Sequence, residues 1–330
     1  MPAASTPENR ASGKRVILVT PRGFCAGVVR AIDVVRIALD TFQPPIYVRK
    51  EIVHNRHVVE ELRALGAIFV EELAEVPPGS RVIFSAHGVS PQVRAEAKDR
   101  SLNVIDATCP LVTKVHLEAI RFARQGYTVL LIGHRDHDEV VGTLGEAPQA
   151  TLVVSDEAEA ERVEVPDSAR VCYLTQTTLS LDETAGIIEI LKRRFPLLQG
   201  PPSQDICYAT QNRQVAVKEI AARGQLLLVV GSQNSSNSRR MVEVSRLSGT
   251  AAHLVDDERD IHPDWLDGAE TVIVTAGASA PETLVERVVE WLRENGFPEL
   301  EEAVIKEEDV RFSLPANLQN AARLTQIASV

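Results

Sequence analysis

The chain has 330 residues, 44% of them hydrophobic, and this length exceeds one ordinary core, so we expect two or three compact units. Its net charge of −11 argues against non-specific binding to nucleic acid or anionic lipid, because no cationic excess would release counterions. Residues 1–14 are polar and lack the apolar stretch of a secretory signal, and no apolar run is long enough to span a membrane. We therefore predict a disordered N-terminal tail on a cytoplasmic protein.

Short apolar runs alternate with helical patterns along the chain. They predict buried parallel strands, because segments that are apolar on both faces are typical of sheets covered by helices on each side. In chain order the predicted strands are RVILVT (15–20), PIYVR (45–49), RVIFSA (81–86), NVIDAT (103–108), TVLLIG (128–133), RVCYLTQ (170–176), QLLLVVG (225–231) and TVIVTAG (271–277). The stretch that follows Cys25 has polar residues at helical spacing and predicts a helix.

Three parts of the chain repeat one arrangement, by spacing more than by residue identity. In each, a cysteine opens a helix, a polar cluster follows about 30 residues later, and a second polar turn lies about 60 to 70 residues later. We therefore predict an α/β fold of three similar domains with small parallel sheets, at 15–108, 109–206 and 207–290, in a pseudo-threefold trefoil around a shared cavity. The first strand is a candidate for exchange between domains. Residues 291–330 are predicted to form a C-terminal tail that includes one strand and packs on another domain.

Equivalent positions in the three repeats would bring Cys25, Cys109 and Cys207 together, each at a helix N-terminus that favours thiolate. Structural zinc normally uses a fourth protein ligand and local ligand pairs, whereas iron–sulfur clusters accept thiolates from distant positions. We therefore predict a cubane cluster on three cysteines, with one iron free to bind a substrate oxygen. The alternative, three unrelated buried thiols, is disfavoured by their matching positions. Cys172 lies within a predicted strand and is expected to be an ordinary core residue.

Eight longer motifs lie in one order along the chain: PRGFCAGV, VHN, SAHGV, DATCPLVTKVH, TQTT, DICYAT, GSQNSSNS and TAGASAP. From about residue 15 to 315 the chain closely resembles the LytB or IspH family of 4-hydroxy-3-methylbut-2-enyl diphosphate reductases. The resemblance implies one 4Fe-4S cluster and the last step of the non-mevalonate isoprenoid pathway. In that step two electrons and two protons remove an allylic hydroxyl, bound at the open iron, as water. The implied products are isopentenyl diphosphate and dimethylallyl diphosphate.

Together with this resemblance, polar side chains that follow strands of the first and third units predict a diphosphate site. His54 and His87 each follow a predicted strand, so their imidazoles can reach a bound anion, although a lone loop histidine is more often a surface residue. The GSQNSSNS turn offers hydroxyl, amide and backbone N–H groups between a strand and a helix, which suits a polyanion. The predicted diphosphate ligands are His54, His87, Ser235, Ser236, Asn237 and Ser279.

The second unit carries the predicted proton donor in the segment GHRDHDEVVGT. We assign Glu139 as the acid, because a carboxyl group in a closed, water-poor cavity keeps its proton near neutral pH. His137 and Thr177 are predicted to bind the substrate and to assist catalysis, with Thr177 orienting the hydroxyl or relaying a proton. The resembling family usually has proline where this chain has Asp138, which adds a carboxylate and removes a rigid φ. Alternative acids nearby are His134 and Asp136.

A cluster on three cysteines is also compatible with two other classes of protein. A hydratase of the aconitase kind would eliminate water without an electron donor, and a cluster-based sensor would need an output module, of which the sequence has no sign. For the reductase, we expect a ferredoxin or flavodoxin as electron donor, because no GxGxxG follows the first strand and no flavin signature is present. The predicted partners are thus an allylic diphosphate and an electron-transfer protein, with no nucleic acid and no membrane.

Overall fold

A computed structural model describes residues 13–320, so nearly all of the predicted N-terminal tail lies outside the described residues. Across this range no helix has both the length and the apolar character that a membrane span needs. The strands are β1 Arg15–Thr20, β2 Ile46–Arg49, β3 Ala67–Val70, β4 Arg81–Phe84, β5 Asn103–Asp106, β6 Thr128–Ile132, β7 Thr151–Val154, β8 Val171–Thr175, β9 Leu226–Val230, β10 Ala251–Val255, β11 Thr271–Ala276 and β12 Glu299–Val304. The α-helices are α1 Ala26–Phe42, α2 Arg56–Ala64, α3 Pro91–Asp99, α4 Pro110–Arg124, α5 Asp138–Glu146, α6 Glu157–Arg162, α7 Leu181–Arg194, α8 Tyr208–Ile220, α9 Ser236–Leu247 and α10 Glu282–Glu294.

The strands of residues 13–320 form three parallel sheets. The first sheet has the order β3-β2-β4-β5, the second β7-β6-β8, and the third β10-β9-β11-β1-β12. All eight strands predicted from the sequence are present, and each sheet packs between two apolar clusters as their two-sided apolar character requires. In β9, for example, Leu227 packs with Met241 of α9, whereas Leu228 on the opposite face packs with Leu292 of α10.

Three strands were not predicted, and each lies at the edge of one sheet: β3, β7 and β10. Their burial is interrupted, with Ile68 and Leu152 exposed and Ala251 exposed at the start of β10. An edge strand is covered less completely than a central strand, so its sequence does not need a continuous apolar run. The pattern that revealed the eight predicted strands is therefore weak in these three.

The first strand lies in the third sheet, which corrects the predicted domain 15–108. In β1, Ile17 pairs with Ile273 of β11 on one side and with Glu301 of β12 on the other. The same placement recurs in the other sheets, since β5 lies beside β4, and Gln199 bridges to Cys172 of β8. In each unit, the extended segment that precedes a cysteine therefore completes the sheet of the preceding unit. We retain the division into three domains as a proposal, with β1 assigned to the third.

Each of the three repeated cysteines occupies the N-cap of a helix, at the start of α1, α4 and α8. The N–H of each cysteine donates to a carbonyl oxygen in the loop that follows a strand of the preceding unit. The three N···O distances are 2.9 Å for Cys109 to Ala86, 2.9 Å for Cys207 to Thr177, and 3.1 Å for Cys25 to Ala278. The third bond connects the last unit to the first, so the three units form a closed ring.

The C-terminal segment continues this connection between units. After β12, Leu314 and Leu318 pack against the apolar cluster of the first sheet. The fully buried Arg213 of α8 donates to the carbonyl oxygen of Gly23 at 2.7 Å and pairs with the Glu308 carboxylate at 3.2 Å. One guanidinium thus joins α8 to the loop before Cys25 and to the C-terminal segment.

Replacing Arg213 with methionine would leave the Gly23 carbonyl and the Glu308 carboxylate without their donor. Removing one partner of a buried pair costs about 3 to 5 kcal/mol, so we expect the urea unfolding midpoint of Arg213→Met to fall markedly. The matched control is Arg293→Met, at an exposed pair with Glu290 that contributes at most about 1 kcal/mol. Equal unfolding midpoints for the two variants would contradict this account.

Candidate active site

The polar turns of all three units surround one central cavity with about 760 Å³ of empty space, part of it open to solvent. The cavity is lined by every residue that the sequence analysis proposed as a ligand, acid or substrate contact: Cys25, His54, His87, Cys109, His137, Glu139, Thr177, Cys207, Ser235, Ser236, Asn237 and Ser279. The alternative acids do not line it, since His134 contacts Arg240 and Asp136 lines a separate cavity. Residues as far apart along the chain as Cys25 and Ser279 therefore meet in one place.

Two of the three cysteines, Cys109 and Cys207, enter the cavity as protonated thiols rather than as the thiolates expected from their helix N-termini. Burial raises the pKa of Cys109 to about 12 and that of Cys207 to about 11. Backbone N–H groups of the helix starts, such as that of Leu111, lower the pKa of Cys109, but burial has the larger effect. A bound cationic group is therefore needed to stabilise the thiolate forms in this cavity.

The donor set fits a cluster of several metal ions better than a single ion. Within residues 13–320, three ligating atoms lie within 4.8 Å of one another at His54, His87 and Asp138, and the cysteine sulfurs do not form such a group. Three soft sulfur donors that are too widely separated for one ion match the requirements of an iron–sulfur cluster. Space near the sulfurs is also kept free, because a Cβ at Gly27 would lie 2.8 Å from Sγ of Cys109 and 3.8 Å from Sγ of Cys25.

Glu139 is a buried carboxyl group held in one orientation by Thr177. The Thr177 backbone N–H donates to Oε1 of Glu139 at 2.6 Å, and the Thr177 hydroxyl lies 3.0 Å from Oε2. Only 2% of Glu139 is exposed, and this burial raises the pKa of its carboxyl group to about 7. The hydrogen bonds from Thr177 act in the opposite direction but are weaker than the desolvation. Glu139 can therefore hold a proton near neutral pH and release it inside the cavity.

Three histidines form a compact aromatic group on one side of the cavity. The rings of His54 and His87 are stacked with centroids 4.0 Å apart, and the His137 ring meets them edge-on at 5.4 Å and 5.8 Å. Burial lowers the pKa of His137 to about 4, and it lowers the pKa of His87 well below the usual value, with neighbouring histidines adding to both effects. His87 and His137 are thus neutral at pH 7 and offer N–H donors without a charge.

The polar turn before α9 and the loop after β11 supply neutral donors on another side. Ser235 caps α9, and the Ser236 hydroxyl donates to the Thr178 carbonyl oxygen at 3.1 Å. The Ser279 hydroxyl donates to the His54 carbonyl oxygen at 2.8 Å. Asn237 is buried, yet neither its amide nitrogen nor its amide oxygen has a hydrogen-bond partner in the described part of the chain. Because buried polar groups are normally paired, this amide beside a helix N-terminus indicates a polar ligand.

Several cavity residues were not predicted from the sequence. The Tyr208 hydroxyl accepts a hydrogen bond from the Ala26 backbone N–H at 3.1 Å, and the Thr210 hydroxyl lies 3.2 Å from Sγ of Cys207. Both follow Cys207 within the DICYAT motif, so their proximity to the cysteine was a usable signal. Phe312 belongs to the C-terminal segment and also lines the cavity. No local pattern connects Phe312 to the site, because only the path of the segment brings it there.

A sequence model of the LytB protein family matches residues 16–293. The chain belongs to the LytB family. It is 60% identical over 307 residues to the 4-hydroxy-3-methylbut-2-enyl diphosphate reductase of Acidothermus cellulolyticus, covering 93% of this chain and 90% of that protein. It is 56% identical over 320 residues to the reductase of the same name from Mycolicibacterium paratuberculosis, covering 97% of this chain and 96% of that protein. These matches confirm the resemblance inferred from the motifs.

A solved structure gives the same result for the LytB fold. The structure of the E-1-hydroxy-2-methyl-but-2-enyl-4-diphosphate reductase from Plasmodium falciparum superposes with a TM-score of 0.92 at 40% sequence identity. The match covers 95% of this chain and 99% of that chain. It confirms the predicted α/β fold with several small parallel sheets.

Gly27 provides a test of the space beside the cysteine sulfurs in this LytB family member. In Gly27→Ala the new methyl group would lie 2.8 Å from Sγ of Cys109, closer than side-chain atoms pack, so Cys109 must move. We expect anaerobic reconstitution with iron and sulfide to load at least about tenfold less iron, because this ligand set needs defined geometry. The control is Val29→Ala on the exposed face of the same helix, which should load like the wild type. Full iron loading of Gly27→Ala would contradict the proposed position of the bound group.

Proposed function

We propose that this chain is a 4-hydroxy-3-methylbut-2-enyl diphosphate reductase, which removes the allylic hydroxyl group and releases isopentenyl and dimethylallyl diphosphate. The observation that carries this proposal is the meeting of three helix-capping cysteines, one buried acid and a cluster of neutral polar donors in one cavity. The reductases of the same name at 56% to 60% identity support it. Reductive removal of a hydroxyl group from a substrate that carries a diphosphate needs all three parts: an electron source, a proton source and an anion site.

Cys25, Cys109 and Cys207 would hold one 4Fe-4S cluster with the sulfur atoms that line the cavity. When bound, such a cluster supplies electrons to the substrate and a Lewis-acidic iron that no cysteine occupies. The burial of the thiols supports this assignment, because the pKa values raised by burial make the cavity unsuited to free thiolates. Free cysteines at the site also require a reducing compartment, so we propose that the protein works in the cytoplasm.

The diphosphate would bind between the histidine group and the turn before α9. Ser235, Ser236, Asn237 and Ser279 offer hydroxyl and amide donors, and the start of α9 adds backbone N–H groups. His54 and His87 would donate from the opposite side through their ring nitrogens. Asn237 is the strongest support, because both polar atoms of its side chain lack a partner until a ligand is bound.

Glu139 would deliver the proton that converts the leaving hydroxyl group into water. Its carboxyl group is held by Thr177 through the backbone N–H and the hydroxyl, so the orientation of the carboxyl group in the cavity is defined. His137, whose pKa is lowered to about 4, is neutral and would orient the substrate by an N–H bond. The low exposure of Glu139 keeps bulk water from competing for the proton.

The electrons would come from a ferredoxin or flavodoxin, as the sequence analysis proposed. The direct test is anaerobic turnover of 4-hydroxy-3-methylbut-2-enyl diphosphate with dithionite-reduced methyl viologen, with iron and sulfide measured in the same sample. Viologen oxidation, about four irons per chain and formation of isoprenyl diphosphates would support the proposal. Loss of water without reductant would instead indicate a hydratase. A loaded cluster without turnover would indicate a sensor.

The cysteine assignment predicts a contrast between variants. Replacing Cys25, Cys109 or Cys207 with serine should lower turnover by at least about a hundredfold and reduce bound iron, because each supplies one of three ligands. Cys172→Ala is the matched control, since Cys172 is completely buried within β8, away from the cavity. It should retain full iron content and turnover. A normal cluster and normal turnover in Cys207→Ser would disprove the three-ligand assignment.

The acid assignment predicts a pH dependence as well as a loss of activity. Glu139 donates only when protonated and its pKa is raised to about 7, so kcat should be constant below pH 7 and fall as pH rises above it. Glu139→Gln keeps the shape but has no acidic proton, and should lower kcat by about 10² to 10⁴ with the cluster intact. Steady-state rates from pH 6 to 9 would check both. Near-normal turnover of the Gln variant would exclude Glu139 as the donor.

A further inference from the structure

We propose that the ion pair between Lys50 and Asp138 is a latch that joins the first and second units and sets the position of His137 and Glu139. Nζ of Lys50 lies 2.5 Å from Oδ1 of Asp138, although the two residues are 88 positions apart. Lys50 follows β2 directly, and Asp138 is the first residue of α5. The positioning role rests on the proposed function, because it concerns the two residues assigned to catalysis.

Asp138 lies between two residues that line the cavity. His137 caps α5 and its Nδ1 accepts the N–H of Glu139 at 3.2 Å, so the three residues form one turn. A rotation of this turn would displace the His137 ring and the Glu139 carboxyl group together. The Lys50 side chain restrains that rotation through Asp138, the one residue of this turn that lines the neighbouring cavity and not the central one.

The backbone at Lys50 gives a second, independent indication. Lys50 has a φ of 57°, in the left-handed region that non-glycine residues rarely adopt, and its N–H donates to the Val70 carbonyl oxygen at 2.7 Å. Such a conformation persists only where the surrounding structure determines it, and it is concentrated at functional sites. Here it directs the lysine side chain across the boundary between the units to Asp138.

The backbone around position 138 shows how an ion pair can take the place of a proline there. At the first position of a helix a proline loses no intrahelical hydrogen bond, and its ring fixes φ. The preceding residue His137 has φ −76° and ψ 134°, which is the extended conformation that a residue before proline requires. Asp138 leaves φ free, so in this chain the tether to Lys50 supplies the restraint that a proline ring would supply at the same position.

The pair also places two opposite charges beside the proposed diphosphate site. A carboxylate oxygen of Asp138 lies within 4.8 Å of a ring nitrogen of both His54 and His87. Of the other charged groups nearby, Glu51 contacts His54 and Arg49 pairs with Glu72, whereas Asp136 lines the same cavity as Lys50 and Asp138. Removing the Asp138 charge would leave Lys50 without its ion-pair partner and make this side of the diphosphate site more positive, and removing the Lys50 charge would make it more negative.

The positioning effect of the pair and its charge effect can be separated by steady-state kinetics on the full chain with its cluster loaded. We expect Asp138→Asn and Lys50→Met each to lower kcat about tenfold, and the double variant to lower it by about the same factor, because both remove one interaction. Asp138→Pro should restore kcat to within about threefold, because the ring replaces the tether. KM should follow the charge instead, about fivefold lower in Asp138→Asn and Asp138→Pro and about fivefold higher in Lys50→Met.

The binding of inorganic pyrophosphate, measured by titration calorimetry, gives a readout that needs no turnover. Its Kd should be lower in Asp138→Asn and Asp138→Pro and higher in Lys50→Met, as for KM. If wild-type turnover is absent, the proposed function fails, and the calorimetry still tests the charge effect. The matched control is the exposed pair of Lys218 with Asp182, where Lys218→Met and Asp182→Asn should change neither kcat nor Kd.

Either of two results would overturn the latch. One is a kcat of Asp138→Pro as low as that of Asp138→Asn while wild-type turnover is normal, since a restrained φ would then not be what the turn needs. The other is a loss of about a hundredfold in the Lys50→Met, Asp138→Asn double variant, because independent effects multiply and a single shared interaction does not.

Discussion

In every unit, the N–H of a helix-capping cysteine donates to a carbonyl oxygen in a loop of the preceding unit, and the third of these bonds returns from the last unit to the first. This cyclic set of hydrogen bonds determines where the helices α1, α4 and α8 begin and which loops face them. It also accounts for the exchange of β1, because the segment before each cysteine belongs to the preceding sheet. The central cavity is the space that remains where the three contacts meet.

Desolvation is the common cause of the unusual chemistry in that cavity. It keeps the thiols of Cys109 and Cys207 protonated, keeps His137 neutral and raises the pKa of Glu139 to about 7. In each case the charged form is disfavoured because little water and few opposite charges are nearby. A site of this kind holds its own residues neutral, so the charge would come from what binds there, which in our proposal is an iron–sulfur cluster and a diphosphate. In the proposed reaction, the proton of Glu139 would then be available to the oxygen that leaves.

Much of this arrangement could be predicted from the sequence, and the failures have physical causes. Eight strands were predicted from their apolar runs, including β5 and β8 at the edges of their sheets. The edge strands β3, β7 and β10 were not, because a partly exposed strand does not need that pattern. The candidate site residues were found from cysteines and polar turns at repeated spacing together with the resemblance to the LytB family. Phe312 and the pairing of Lys50 with Asp138 were not, because their partners are distant in the chain and no local spacing encodes them.

The sequence by itself determined the local elements: strands from two-sided apolar runs, helix starts from the residues that cap them, and three equivalent cysteines from their spacing. These features depend on neighbouring residues, so a single chain without a structure is enough to predict them. Only the tertiary structure decided which unit holds β1, which thiols and carboxyl groups are desolvated, and which charges meet between units. Those properties depend on contacts between segments far apart in the chain, and burial and pairing arise only when those segments pack together.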